Sequence, residues 1–180
     1  LRGRLSLNIP LVISWKGLPE GLDVKQYRSS IDIAPTILEM AGLHIPPEFH
    51  GRSLFSEAGP DPVYIETGLW FDTGGDYFFQ KKRLFYPNIT GLSYIETDFR
   101  NEIILNRSFE NFTWTAKHRA IIDGDYKLIY MPTKEGIEYE LYNISRDPEE
   151  VQDLSRKERV VLEKMKSRFF NLLKQDSNLV

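Results

Sequence analysis

Lys117, His118 and Arg119 put three side chains able to carry positive charge next to one another. An ammonium, an imidazole and a guanidinium so placed can hold an anionic group by charge-assisted hydrogen bonds. The competing reading is structural. The cluster is then a solvated strand end, or Arg119 pairs with a carboxylate such as Asp123 or Asp125, because most surface charge clusters do no more than that. The three residues are kept as the candidate substrate-binding set. No residue is assigned a catalytic role, and none a metal.

Other stretches offer less. His44 and His50 flank the Pro46-Pro47 pair and read as loop residues. Asp72-Thr73-Gly74-Gly75-Asp76 supplies too few oxygens for calcium, which needs six or more, so it reads as a turn. Lys81-Lys82-Arg83 reads as a wet face in a net acidic chain. Asn88, Asn106, Asn111 and Asn143 each begin an Asn-Xaa-Ser/Thr acceptor pattern, which arises often by chance. The absence of cysteine excludes disulfides, thiol nucleophiles and thiolate metal ligands.

Composition sets the frame for these residues. The 180 residues are 41% hydrophobic and 13% aromatic, which argues for a packed globule. With 23 Lys and Arg against 26 Asp and Glu, the net charge of −3 gives no electrostatic case for nucleic acid or an anionic membrane. No run of about 18 apolar residues is present to span a bilayer.

The candidate cluster must be positioned by the stretch that follows it. From Lys117 the chain runs to Ile122, turns at Asp123-Gly124 and returns as 126–130, with Pro132 as its stop. Asp-Gly between apolar runs is a strong hairpin signal. A second turn at 134–136 leads into a strand over 137–142, where Ile, Tyr and Leu alternate with Glu, Glu and Tyr, predicting one buried face and one wet face. Asp147-Pro148-Glu149-Glu150 reads as a helix start. Ser155 and Glu158 form a capping-box pattern ahead of a helix over 156–175, whose stripe of Val161, Leu162, Met165, Phe169, Leu172 and Leu173 is set to cover the meander.

Earlier in the chain, 9–15 is a near-continuous apolar run typical of a strand buried on both faces. A helix over about 32–41 follows, with Asp32 as cap, Ile33, Ile37, Met40 and Ala41 on one face, and Gly42 as its end. Residues 63–67 read as a strand. Residues 68–116 read as one long excursion with short strands near 78–86 and 102–105.

The order His118-Arg119-Ala120-Ile121, Asp125-Tyr126-Lys127-Leu128-Ile129-Tyr130, Tyr139-Glu140-Leu141-Tyr142-Asn143 and Asp147-Pro148-Glu149-Glu150 resembles the C-terminal subdomain of the sulfatase family, in the alkaline phosphatase superfamily. Gly51-Arg52-Ser53-Leu54 resembles that family's short Gly-Xaa-Ser-Leu element. The resemblance implies an α/β (α+β) fold: a small antiparallel sheet of about four strands packed on a C-terminal helix, plus a leftover strand–helix unit of a central sheet. Residues 1–60 would then be the tail of a catalytic domain, and 61–180 the C-terminal subdomain. An upstream catalytic domain would be the main partner, and the exposed sheet edge offers a route to an oligomer.

The family cleaves sulfate esters with a formylglycine made within Cys/Ser-Xaa-Pro-Xaa-Arg, beside calcium. This sequence contains no such segment, so the chain alone is expected to be inactive and to bind no cofactor, with calcium expected in a full-length enzyme. A sulfated small molecule or glycan is the implied substrate, and an extracytoplasmic location the family habit. The alternatives are a non-catalytic binding or assembly module, in which 68–116 form the contact surface, and a phosphatase or phosphotransferase of the same superfamily.

Overall fold

The computed structural model describes residues 7, 9–18, 27–56, 62–67, 89–98, 100–133 and 135–175. Among the described residues, three helices and two sheets lead to a final helix. A 3-10 turn, Ser30–Asp32, runs into α1 (Ile33–Met40), followed by β1 (Val63–Glu66). Then come α2 (Ile89–Leu92), β2 (Ser93–Glu96), β3 (Glu102–Leu105), a 3-10 turn at Arg107–Phe109, and α3 (Glu110–Ala116). Strands β4 (Arg119–Asp123), β5 (Tyr126–Thr133) and β6 (Gly136–Asn143) precede α4 (Arg159–Gln175).

The main sheet has the order β1-β4-β5-β6, antiparallel throughout, and β2 pairs with β3 in a separate two-stranded sheet. The β4–β5 turn sits one residue later than the sequence suggests. Asp123 pairs with Tyr126, so Gly124 and Asp125 are the turn residues, and Gly124 takes the positive φ of 59° that glycine tolerates. Pro132 does not stop β5. It lies inside the strand opposite Ile137, beyond the last β4 pair at Arg119↔Tyr130, where no strand on that side needs the missing N–H.

Register places Ile121, Leu128 and Leu141 in one row across the sheet, and α4 buries Leu162, Met165 and Phe169 on that row. The Phe169 ring stacks between Tyr130 (5.5 Å between centroids) and Tyr64 (6.4 Å). Full burial of such a ring contributes about 1.5–3 kcal/mol.

The opposite face is not wet. Ala120, Ile122, Ile129, Tyr142 and Ile144 form a second buried cluster there, and Glu140 is buried beside them, accepting from the Tyr142 hydroxyl at 3.0 Å. Lys127 is also sunk into this side. Its ammonium donates to both oxygens of Glu150 at 2.7 and 2.8 Å, with 1% and 3% of the two side chains exposed.

That pair explains why 147–150 is not a helix start. Glu150 adopts a φ of 55° as its carboxylate turns inward to Lys127, and a left-handed residue cannot continue a helix. The loop instead returns along the open edge of β6. Leu154 N–H donates to Leu141 O at 2.7 Å, and Leu141 N–H donates to Asp153 Oδ1 at 3.1 Å, which satisfies edge groups that would otherwise invite strand addition. The Ser155–Glu158 capping box is likewise absent. Ser155 Oγ donates to Asp153 and Glu158 accepts from the Tyr126 hydroxyl, so α4 begins at Arg159.

Residues 9–15 form no strand. They pair with no other segment among the described residues, and Ile9, Leu11, Val12 and Trp15 are exposed. A strand exists only through a neighbour's hydrogen bonds. In α1 the buried residues are Pro35 and Thr36, whereas Ile37 faces solvent, reversing the expected face. The cause is the returning connector. Thr36 Oγ1 accepts from Leu54 N–H at 2.9 Å, and Asp32 accepts from Arg52 N–H at 2.9 Å. Strands β1 and β3 lie where expected, while the strand read near 78–86 falls outside the described residues.

Candidate functional site

Lys117 ends α3 with an extended backbone (φ −63°, ψ 132°), turning the chain from helix into β4. Its partners come from far away in sequence. Pairing of β1 with β4 sets Glu66 opposite Arg119, and Lys117 Nζ reaches Glu66 Oε1 at 2.7 Å while sitting 4.6 Å from the centroid of the Trp114 ring. Glu66 Oε2 accepts from the Tyr64 hydroxyl at 3.1 Å. Burial, and then the Glu66 charge, push the Tyr64 phenol up to about 12.

Arg119 is buried, and neither Asp123 nor Asp125 is its partner. Its guanidinium donates to the Trp114 carbonyl at 2.8 Å and the Lys117 carbonyl at 3.3 Å, and lies 5.9 Å from the Tyr130 ring. Its Nε finds no hydrogen-bond partner among the described residues. Asp123 instead takes Arg168 at 2.9 Å, and Asp125 accepts from Ser145. His118 is buried too. Its N–H donates to Thr67 Oγ1 at 3.1 Å, and its carbonyl accepts from Thr67 N–H at 3.0 Å.

Lys117, His118 and Arg119 therefore do not form one exposed patch. Lys117 stays part-exposed between Glu66 and Trp114, and Arg119 holds the end of α3 against β4 from behind. Trp114 was not singled out by sequence, because its place depends on α3, a helix lying within the stretch read as irregular. Beside it an open hollow on the surface of α3 is lined by Glu110, Asn111, Trp114 and Thr115. The hollow sets an aromatic ring beside a carboxylate, an amide and a hydroxyl.

His44 and His50 are exposed on the connector after α1. Residues 72–76 and 81–83 lie outside the described residues. Among the described residues, no three His, Asp or Glu side chains come together as a metal would require, so the calcium a sulfatase uses has no fitting ligand set there.

The small antiparallel sheet of four strands, its covering helix and their order define a mixed α/β fold. No protein-family model matches the chain, and no curated protein does. Among solved structures, the phosphonate monoester hydrolase of Agrobacterium radiobacter is similar with a TM-score of 0.51 and 17% identity, over 84% of this chain and 26% of that one. The phosphonate monoester hydrolase of Silicibacter pomeroyi (TM-score 0.49, 14% identity, 83% and 25% covered) also matches. So does a 2-O GAG sulfatase (TM-score 0.48, 16% identity, 80% and 24% covered). The chain spans about a quarter of the length of these structures.

Proposed function

We propose that this chain is the C-terminal part of a sulfatase-like hydrolase acting on sulfuric esters, with residues 1–60 closing the catalytic domain and 61–180 forming the subdomain beside its cleft. The observation that supports a part of a larger hydrolase is the likeness to the Agrobacterium enzyme over 84% of the chain but only 26% of that protein, and the choice of sulfuric esters rests on the sequence resemblance over 118–150. The nucleophile and the calcium ligands would lie in the larger part, since the 180 residues hold no Cys/Ser-Xaa-Pro-Xaa-Arg segment. Within the subdomain, Lys117 would touch an anionic substrate by exchanging Glu66 for it. His118 and Arg119 act as positioning residues behind it, with Trp114 offering a ring for a sugar face.

A phosphonate or phosphate ester hydrolase is the second reading, favoured because that same Agrobacterium protein is a phosphonate monoester hydrolase. An antibody raised against this chain tests the first step: in extracts of the source organism it should reveal a polypeptide several times larger than 21.0 kDa. That polypeptide, purified, should hydrolyse an aryl sulfate faster than an aryl phosphonate. A single band at the size of this chain supports a separate binding module instead, and a preference for the phosphonate supports the second reading.

A further inference from the structure

We propose that the outer face of α4, with the turn leading into it, is a docking strip for a linear sulfated polysaccharide; this rests on the sulfatase-like reading above. Residues 156–175 contain seven Lys or Arg against two Glu, a local charge of +5 within a chain whose total is −3. The carboxylates nearby are already engaged. Glu163 takes Lys166 at 2.9 Å, Glu158 accepts from the Tyr126 hydroxyl, and Asp123 takes Arg168 at 2.9 Å. Arg156, Lys157, Arg159, Lys164 and Lys174 are exposed, and among the described residues none of them makes an ion pair.

This arrangement works against the helix that carries it. Arg156, Lys157 and Arg159 crowd the amino end of α4, where the backbone dipole disfavours positive charge. Cations placed there without carboxylate partners do not serve α4 itself, whereas a bound polyanion would relieve the repulsion. Arg159 to Lys174 spans about 22 Å of helical rise, with Arg156 and Lys157 extending the strip beyond its start, which matches an extended chain bearing repeated sulfates better than one compact anion.

Two other polyanions fit less well. An anionic membrane takes up the apolar side of an amphipathic helix, and here Leu162, Met165 and Phe169 are already buried on the sheet. Single-stranded nucleic acid wants aromatic platforms between its cations. Phe170, the one exposed aromatic of α4, is instead packed edge-on against Phe169 at 5.2 Å.

The test is binding of the full chain to size-defined heparin, fully sulfated and chemically desulfated, across a salt series. At about −0.7 per neutralised charge on a flexible polyanion, three contacts predict a slope of about −2 in log affinity against log salt. The paired reversal Lys157→Glu with Lys164→Glu should weaken binding at least tenfold while the melting temperature stays put, and Lys164→Gln alone should give a smaller loss in the same direction. Equal binding to desulfated heparin, unaltered binding by the reversal variant, or tighter binding to poly(dT) or to anionic vesicles overturns the proposal. Because catalysis is not measured, these results leave the hydrolase reading to its own test.

Discussion

The Tyr64 hydroxyl illustrates how the candidate site is wired at the level of single groups. It donates to Glu66, which in turn holds Lys117, so the phenol belongs to the chain of contacts that fixes the part-exposed ammonium. Its proton is held more tightly in the folded protein, the pKa rising from 10.0 to about 12 through burial and the neighbouring carboxylate. Between those values the folded state binds more protons than the unfolded one, so stability should fall as pH rises from 10 to 12. Tyr64 is only partly buried, and solvent screening limits the effect to on the order of 1 kcal/mol. Urea midpoints at about pH 9 and about pH 11.5 provide the measurement: wild type should lose about that much more than Tyr64→Phe. Tyr139, also raised by burial, contributes its slope to both proteins and cancels. Parallel curves for the two proteins would show that Tyr64 does not titrate as its surroundings demand.

The elements that formed where the sequence put them are those with local signals. Strand β6 lies where its residue pattern put it although its burial does not alternate, α4 shows its 3.6-residue stripe, and Gly124 marks the β4–β5 turn. Where partners lie far apart in sequence, the pattern misled. The Glu138, Glu140 and Tyr142 face looked wet because polar letters suggest water, yet Lys127 and Glu150, 23 residues apart, supply the buried charges that let polar groups sit inside. The candidate site shows the same limit. Lys117 was visible as a cation, but Glu66 and Trp114 reach it only through the β1–β4 register and through α3. The short connector after α1 owes its path to one absent side chain. Gly51 lies so close to the chain that a Cβ there would crowd the Ile31 carbonyl oxygen, which is backbone and cannot swing aside. Gly51→Ala should therefore cost on the order of 2 kcal/mol or more, and the amides of Arg52 and Leu54, held by Asp32 and Thr36, should lose protection from hydrogen exchange. Unchanged protection at both amides would mean the connector accommodates the methyl by another route.

At the scale of the whole molecule, the two ends of the chain are finished to different degrees. The sheet and α4 bury their apolar residues in two clusters, and the loop at 150–155 shields the β6 edge. The described residues among the first fifty bury few. Ile9, Leu11 and Trp15 are exposed, Val12 is 91% exposed, and Ile31, Ile37 and Leu43 around α1 are exposed as well. Apolar surface on this scale marks a contact to be covered, and in isolation it drives association. The purified chain should therefore self-associate with rising concentration in sedimentation velocity. Val12→Lys combined with Ile37→Lys should weaken that association about tenfold, because a lysine ammonium resists transfer out of water. The melting temperature of the sheet and α4 should not change, since neither side chain belongs to their clusters. Association that persists undiminished in the double variant would move the sticky surface elsewhere, with the exposed Ile95 and Ile103 of the β2–β3 hairpin the next place to substitute.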